Sequence, residues 1–279
     1  MAQYTNRRRM EGLASRYRLV LPERPRGGPA GEITGGGTGG SIEFQDRRDY
    51  FPGDDPRHID WRAFARSDRL SVKMFREEVS PLVDIIADTS HSMEVTTGKK
   101  TRLVDLTCFF FLLGHKLNAL TTVYDMGGGL RRIETPDALY DIEARRQVSP
   151  LPDLEAAPFR NRGGIRILLS DFLFPFAPTD LVRLFPRADR LILIQILSAF
   201  EDMPSTEGPI RLIEAETADH LDLTLNEQTV RQYRERLGRL KDDLALCARR
   251  SRGAYACIRE DDPPETMAAR LLEAAIIGV

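Results

Sequence analysis

Residues 82–93 decide the fold, and they read Leu82-Val83-Asp84-Ile85-Ile86-Ala87-Asp88-Thr89-Ser90-His91-Ser92-Met93. The first six form an apolar run of the kind that a buried strand requires. A polar loop follows at once, and a helix-forming stretch comes after it. Two more apolar runs, 165–170 and 191–197, have the same character. Buried strands that alternate with helices indicate an α/β fold with a doubly wound, mainly parallel sheet.

Helical and weaker strand patterns fill the rest of this region. Apolar residues at helical spacing predict the helices 101–120, 179–185 and 225–250. Pro263-Pro264 is expected to open a last helix, and Gly253 to cap the end of the long one. Shorter apolar runs predict the strands 121–126 and 254–258. All of these elements belong to one large domain, residues 79–279.

The residues before this domain divide into two parts. Residues 1–40 are rich in Gly and Pro, most densely at 35–40, and are predicted to be an irregular segment. Residues 41–78 contain two alternating stretches, near Ile42 and over 70–75, with a turn at 51–54 between them. We therefore expect a small N-terminal strand-rich unit ahead of the large domain.

Composition excludes several classes of function. The formal net charge of −2 gives no electrostatic case for nucleic-acid binding by the chain as a whole. The three cysteines form no C-x-x-C pair and indicate reduced thiols in a reducing compartment. No signal peptide is evident, and the most apolar helical stretch, 103–113, is too short to span a bilayer. The expectation is a cytoplasmic protein with no direct membrane insertion.

A candidate metal site begins where the first apolar run ends. Asp88, Ser90 and Ser92 lie two residues apart in one polar loop, and Asp171 directly follows the run 165–170. Ligands gather at the carboxyl ends of strands in doubly wound sheets, so the four side chains are expected to meet. Carboxylate and hydroxyl oxygens suit Mg²⁺ or Mn²⁺. The alternative is that Asp88, Ser90 and Ser92 only cap the following helix and tie the loop with hydrogen bonds.

The D-x-S-x-S pattern at 88–92 resembles the metal-ion-dependent adhesion site of von Willebrand factor A domains. That resemblance implies a von Willebrand factor A-like domain in which Asp88, Ser90 and Ser92 bind the metal. It also implies a further Thr, an Asp matching Asp171, and a coordination position left for an acidic residue of a partner. The chain departs from the pattern because Thr135 is the only Thr between residues 131 and 164, and Phe172 stands where Gly is usual.

A longer stretch resembles the domain-of-unknown-function 58 family. It reads Phe44-Gln45-Asp46-Arg47-Arg48-Asp49-Tyr50-Phe51-Pro52-Gly53-Asp54-Asp55-Pro56-Arg57-His58-Ile59-Asp60-Trp61-Arg62. The signature residues are Arg48, Tyr50, Gly53, Asp54, Asp55, Arg57, Asp60 and Trp61. Their charges favour a salt-bridged corner that holds the small unit on the large domain. The alternative is a docking surface for a partner.

The same resemblance implies a partner. Members of this family are bacterial or archaeal and are encoded beside MoxR-type AAA+ ATPases and other von Willebrand factor A proteins. They are thought to act with these in the assembly or maturation of target complexes. The resemblance therefore implies a non-catalytic adaptor that works with a MoxR-type ATPase, with no catalytic residue of its own.

Enzymatic alternatives lack key residues. A haloacid-dehalogenase phosphatase needs a second Asp where this chain has Ser90. The G-x-S-x-G elbow and the phosphate-binding P-loop are absent from the sequence. The four histidines, His58, His91, His115 and His220, show no metal-ligand spacing. The alternative that stays open is a metal-dependent hydrolase that uses the carboxylates of Asp88 and Asp171.

Overall fold

The computed structural model describes residues 2–22, 42–77, 80–144, 149–159, 162–204, 208–213 and 220–279. The Gly/Pro-rich part of the N-terminal segment, residues 23–40, lies outside these ranges. The chain forms two compact units, residues 1–26 with 81–279 and residues 27–80. No helix in the described ranges is long and apolar enough to cross a bilayer.

Strands and helices alternate through the larger unit. The strands of both units are β1 (Arg18–Leu19), β2 (Ile42–Asp49), β3 (Ser71–Glu77), β4 (Leu82–Ala87), β5 (Leu120–Asp125), β6 (Arg131–Ile133), β7 (Ile165–Ser170), β8 (Arg190–Leu197), β9 (Gly208–Ile213), β10 (His220–Leu225), β11 (Ala254–Arg259) and β12 (Ile277–Gly278). The helices are α1 (Ala2–Ala14), α2 (Trp61–Ser67), α3 (Thr97–Lys116), α4 (Leu151–Glu155), α5 (Pro178–Leu184), α6 (Ala199–Asp202), α7 (Glu227–Arg250) and α8 (Pro264–Glu273). Short 3-10 turns occupy Pro56–His58, His91–Glu94 and Pro136–Asp141.

A six-stranded sheet forms the centre of the larger unit. Its strand order is β11-β8-β7-β4-β5-β6, and all neighbours are parallel except β6, which pairs antiparallel with β5. Side chains alternate between two apolar layers: Ile85 and Ile167 pack on one face, and Ile86 and Leu168 on the other. The expectation of a mixed α/β fold with a mainly parallel sheet flanked by helices is confirmed.

Helix α3 begins earlier than the apolar pattern indicated. The prediction of 101–120 is wrong at both ends, because the helix runs from Thr97 to Lys116. Thr96 is the N-cap, and its hydroxyl accepts the backbone N–H of Lys99 at 3.1 Å. The cap places Lys99 in the first helical turn, at the carboxyl edge of the sheet. The earlier start of the helix therefore brings Lys99 to the edge of the sheet at which the candidate site lies.

The prediction that residues 1–40 are irregular is wrong for residues 2–14. These residues form α1, which packs Met10 and Leu13 into the core beside α3. Strand β1 follows and pairs antiparallel with β12. The Lys116 ammonium donates to the carbonyls of Ser15 and Tyr17 and ties this segment to the end of α3. The apolar pattern was weak because few residues of α1 are buried.

Asp105 in α3 predicts a pH dependence of stability. Burial raises its pKa to about 6, although the charges of Arg102 and Arg9 lower it. An acid with a raised folded-state pKa stabilises the fold fully below its unfolded pKa and loses that contribution as pH rises through 6. The wild-type protein should therefore lose on the order of 2 kcal/mol of stability between about pH 4 and pH 8. We expect Asp105→Asn to lack this loss, because the amide does not ionise.

Urea unfolding at several pH values measures this effect. Asp242→Asn, at an exposed position in α7, is the matched control and should unfold with the wild-type pH profile. An Asp105→Asn profile parallel to that of the wild type would contradict the assignment.

The smaller unit is built on a hairpin. Strands β2 and β3 pair antiparallel, with an irregularity between Phe44 and Asp46. The connection between the strands contains a 3-10 turn and α2, so the unit predicted to be strand-rich also holds a helix. The Asp60 carboxylate caps α2 by accepting the N–H of Ala63 at 3.1 Å.

Candidate functional site

Asp88 and Asp171 lie beside each other at the carboxyl edge of the sheet. They follow β4 and β7, which are adjacent and parallel. The backbone N–H of Asp88 donates to the carbonyl of Leu169 at 2.9 Å, so the loop after β4 starts against the end of β7. Both carboxyl groups are almost fully buried, each residue being 1% exposed. The two predicted acidic residues therefore meet at one edge.

The Asp88 carboxylate accepts hydrogen bonds on both of its oxygens. One oxygen accepts the N–H of Ser90 at 2.9 Å, and the other accepts the Ser170 hydroxyl at 2.6 Å. Among the residues that the structure describes, no basic side chain forms an ion pair with it. Burial and, to a smaller extent, the nearby Asp171 carboxylate together raise the pKa of Asp88 to about 6, against the lowering effect of the Ser170 hydroxyl.

The two serines of the loop bring their hydroxyls together. Ser90 Oγ and Ser92 Oγ lie 3.1 Å apart. Adjacent oxygens in an octahedron around Mg²⁺ would be about 3 Å apart, given metal–oxygen distances of ~2.1 Å. The described residues contain no group of three His, Cys, Asp or Glu side chains able to hold a metal, but serine hydroxyls are outside that set. Asp88, Ser90 and Ser92 therefore fit a small divalent cation as donors.

Asp171 differs from Asp88 because one of its oxygens is bound by a buried cation, which makes it a poor direct ligand for a divalent ion. Oδ1 accepts the N–H of Leu173 at 3.0 Å, and Oδ2 accepts the Lys99 ammonium at 2.9 Å. Lys99 is 0% exposed and also donates to Glu201 Oε1 at 2.9 Å. Burial lowers the Lys99 pKa, but Asp171 and Glu201 raise it more, so it stays above its ordinary value.

Sequence reasoning missed Lys99 and Glu201. Glu201 lies in α6 after β8, where Ser198 caps the helix and the Glu201 carboxylate accepts the Ser198 N–H at 2.7 Å. The signal available was position: Ser198 directly follows the third buried run, as Asp88 and Asp171 follow the other two. No sequence pattern indicated that the Lys99 side chain would be buried.

A further carboxylate that sequence reasoning missed, Asp125, lies at the end of β5. It is fully buried, accepts the Thr89 hydroxyl and the Gly127 N–H, and forms an ion pair with Arg131. Gly127 is required there, since a Cβ would lie 2.1 Å from Thr89 Oγ1. The threonine of the loop is thus bound to this neighbouring carboxylate.

Thr135 is the threonine that was considered as the further ligand of the adhesion-site pattern. It precedes the 3-10 turn Pro136–Asp141, which packs against α3. The capping alternative for the loop explains only part of the geometry. The Ser90 side chain makes no capping hydrogen bond, and the cap of α3 is Thr96. The loop hydroxyls are therefore not needed to start either helical segment.

Exposed apolar side chains accompany the polar groups in the edge loops. Leu173 is 42% exposed and its backbone donates to Asp171; Phe200 and Met203, beside Glu201, are 42% and 53% exposed. Val95, in the segment after the serine loop, is 59% exposed.

The signature residues form a salt-bridged turn within the smaller unit. Arg48 makes a bidentate contact with Asp54 at 2.6 and 2.8 Å, and Asp54 also accepts the N–H of Phe51. Gly53 has a φ of 109°, a left-handed conformation that favours glycine. The Tyr50 N–H donates to the Leu70 carbonyl at 3.0 Å. These contacts hold the turn between β2 and α2.

The rest of the signature continues this network. Arg57 pairs with Asp55, and this hydrogen bond lowers the pKa of Asp55 to about 2. Arg47 reaches the buried carboxylate of Asp60 at 3.0 Å. Trp61 is 60% exposed and makes an edge contact with Phe64. The charged residues are therefore paired within the unit, while the tryptophan is left largely exposed.

The chain is similar to solved structures from Bacteroides and to one family model. No curated protein matches the chain. The solved structures that it resembles include the conserved hypothetical protein BatB from Bacteroides thetaiotaomicron, at 12% identity and a TM-score of 0.38, covering 71% of this chain and 98% of that one. An aerotolerance-related membrane protein from Bacteroides fragilis NCTC 9343 matches at 12% identity and a TM-score of 0.34, covering 70% and 98%.

A family model matches the middle of the chain. It is described as "Protein of unknown function DUF58" and matches residues 46–131. The matched range contains the signature turn, the loop Asp88–Ser92 and Lys99. The resemblance of this chain to the domain-of-unknown-function 58 family is thereby confirmed over residues 46–131.

Proposed function

We propose that this protein is a non-catalytic adaptor that binds a partner protein at the carboxyl edge of its sheet. The observation that carries the proposal is the Asp88 carboxylate, which is buried, forms no ion pair with a basic side chain in the described ranges, and lies beside two serine hydroxyls 3.1 Å apart. A buried carboxylate in this state favours binding of a cation. Mg²⁺ or Mn²⁺ on Asp88, Ser90 and Ser92 would supply a positive centre that attracts a carboxylate of the partner.

The fold supports a von Willebrand factor A-like assignment as part of this proposal. The D-x-S-x-S loop follows a central strand of a mainly parallel sheet, where ligands of such sheets are bound. The exposed side chains of Val95, Leu173 and Phe200 offer apolar contact area in the same set of loops. A charged centre with apolar neighbours suits a protein surface as ligand.

The proposed partner is a MoxR-type AAA+ ATPase. This part of the proposal rests on the resemblance to the domain-of-unknown-function 58 family, whose members are encoded beside such ATPases. Other von Willebrand factor A proteins are further candidates by the same resemblance. The adaptor would connect the ATPase with the complex that it assembles or matures.

The metal-dependent hydrolase is less favoured by the geometry. A hydrolase using both carboxylates needs Asp171 as ligand or base, yet Asp171 is bound to the buried Lys99 ammonium.

Asp88→Asn tests the adaptor proposal. The amide keeps the shape of the side chain but removes the charge that would bind the cation. We expect its affinity for the purified MoxR-type ATPase of the same organism to fall roughly tenfold or more, as when a central charged contact is lost. Calorimetry or pull-down measures binding, with and without a chelator of divalent ions.

The control is Asp141→Asn, at an exposed position outside the edge loops, which should bind like the wild type. Circular dichroism should show both variants folded, since Asp88→Asn removes a buried charge. Unchanged binding by Asp88→Asn would refute the edge as the docking site. Wild-type binding that persists in chelator would refute the metal but keep the adaptor.

A further inference from the structure

Lys99 is a fully buried cation among the acidic groups of the candidate site. Its ammonium is 0% exposed and donates to Asp171 and Glu201, each at 2.9 Å. These two carboxylates come from loops after different strands, β7 and β8. Lys99 itself comes from the first turn of α3. A single side chain thus joins three segments of the edge.

Its location is electrostatically costly unless carboxylates compensate it. The first turn of a helix carries partial positive charge, which disfavours a lysine. Burial disfavours the charged ammonium as well. The two carboxylates offset both effects, so the position of Lys99 depends on them, and their position depends on it.

Asp171 is the group that connects Lys99 with Asp88. It accepts the ammonium on one side, while its charge acts on the Asp88 carboxylate on the other. Among the described residues, the Lys99 ammonium therefore pairs with the carboxylate of Asp171, and no basic side chain pairs with that of Asp88. A dication that used Asp171 as a direct ligand would have to approach an oxygen pair that already binds an ammonium and a backbone N–H.

We propose that Lys99 weakens divalent-metal binding at the site by holding Asp171 out of direct coordination. A divalent ion is then bound by Asp88, Ser90 and Ser92 alone, and weakly. This inference rests on the metal part of the proposed function. It predicts that loss of the lysine releases Asp171 and creates a stronger site.

The test is Mn²⁺ binding by the full chain, measured by calorimetry and by electron paramagnetic resonance at about pH 7.5, where carboxylates ionise. The main variant is the double change Lys99→Met with Glu201→Gln. It removes one charge of each sign, since Lys99→Met alone would leave two buried carboxylates unpaired and risks unfolding. We expect the double variant to bind Mn²⁺ roughly tenfold or more tightly than the wild type, because it gains a carboxylate ligand.

Two further variants make the test specific. Adding Asp171→Asn to the double variant should abolish the gain, because the freed carboxylate is what provides it. Lys99→Arg keeps a cation at the position and should bind Mn²⁺ as weakly as the wild type. Thermal unfolding without metal shows that each variant is folded, and a Tm that rises with Mn²⁺ only in the double variant gives a second readout.

Two results would overturn the inference: equal Mn²⁺ affinity in the wild type and the double variant, including no binding by either, or a gain that survives Asp171→Asn. Neither decides the adaptor proposal. That proposal is judged by ATPase binding of Asp88→Asn, which does not involve Lys99.

Discussion

Asp84→Asn is expected to lower the free energy of unfolding by about 3–5 kcal/mol, the usual cost of breaking one buried ion pair. Asp84 in β4 lies opposite Arg166 in β7, and both side chains are 1% exposed. The Asp84 carboxylate contacts Arg166 at 3.0 Å and Arg162 at 2.9 Å. Without the carboxylate charge, the buried Arg166 guanidinium keeps its hydrogen bonds to backbone carbonyls, such as that of Phe159 at 2.9 Å, but loses this ion pair.

Urea unfolding measures this loss, and a double variant is the matched control. Asp84→Leu with Arg166→Met replaces both charges by apolar groups, and such replacements cost far less than removal of one partner. Asp222→Asn, which breaks the exposed pair with Arg211, should leave stability unchanged. A wild-type midpoint for Asp84→Asn would show that the pair does not stabilise the sheet.

Gly253→Ala is expected to destabilise the larger unit by about 3 kcal/mol or more through steric overlap. A Cβ at this position would lie 1.5 Å from the carbonyl oxygen of Leu191. That oxygen belongs to the backbone of β8, so it cannot move away as a flexible side chain would. Gly253 also donates its N–H to the Ala248 carbonyl at 2.7 Å, which fixes its distance from the end of α7.

Gly238→Ala provides the comparison within the same helix. Nothing lies within 4 Å of a Cβ there, so alanine should raise stability by about 0.5–1 kcal/mol, its advantage over glycine inside a helix. Thermal unfolding followed by circular dichroism separates the two variants by the sign of the change in Tm. If both changes move Tm in the same direction, the close approach to Leu191 is not what requires Gly253.

The central sheet was predictable because its strands are continuous apolar runs. The runs 82–87 and 165–170 form β4 and β7 with the predicted bounds, and 191–197 forms all of β8 but its first residue. Short continuous apolar runs of this length are typical of strands that are buried on both faces of a sheet. By contrast, α1 was missed because its apolar face is short, and no prediction was made for the hairpin β9–β10.

Helix ends were less predictable because polar contacts set them. Helix α3 begins at Thr97, four residues before the predicted start at Thr101, because the hydroxyl of Thr96 caps the helix. Gly253 was expected to cap the end of α7, yet the C-cap is Ser251, and the residue with a positive φ, 52°, is Arg252. The glycine is required by its approach to a neighbouring strand, which only the assembled fold reveals.

The candidate site was predictable only in part. The positions of Asp88 and Asp171 follow from the topology of a parallel sheet, since the ends of adjacent strands meet. The partner of Asp171 does not, because Lys99 reaches it only through the helix start that Thr96 sets. A lysine in the first helical turn usually extends into water. Its burial depends on three segments that meet only in the tertiary structure.

The pairing of β1 with β12 has a consequence for synthesis on the ribosome. The N-terminal part of the larger unit, residues 2–19, emerges before residues 27–80, yet its binding surfaces on α3 and β12 emerge long afterwards. Met10 and Leu13 therefore lack their packing partner until α3, Thr97–Lys116, has been made, and Leu19 lacks its partner strand until Ile277–Gly278 has been made. Pairing of β1 with β12 can thus form only after nearly all of the larger unit has been translated.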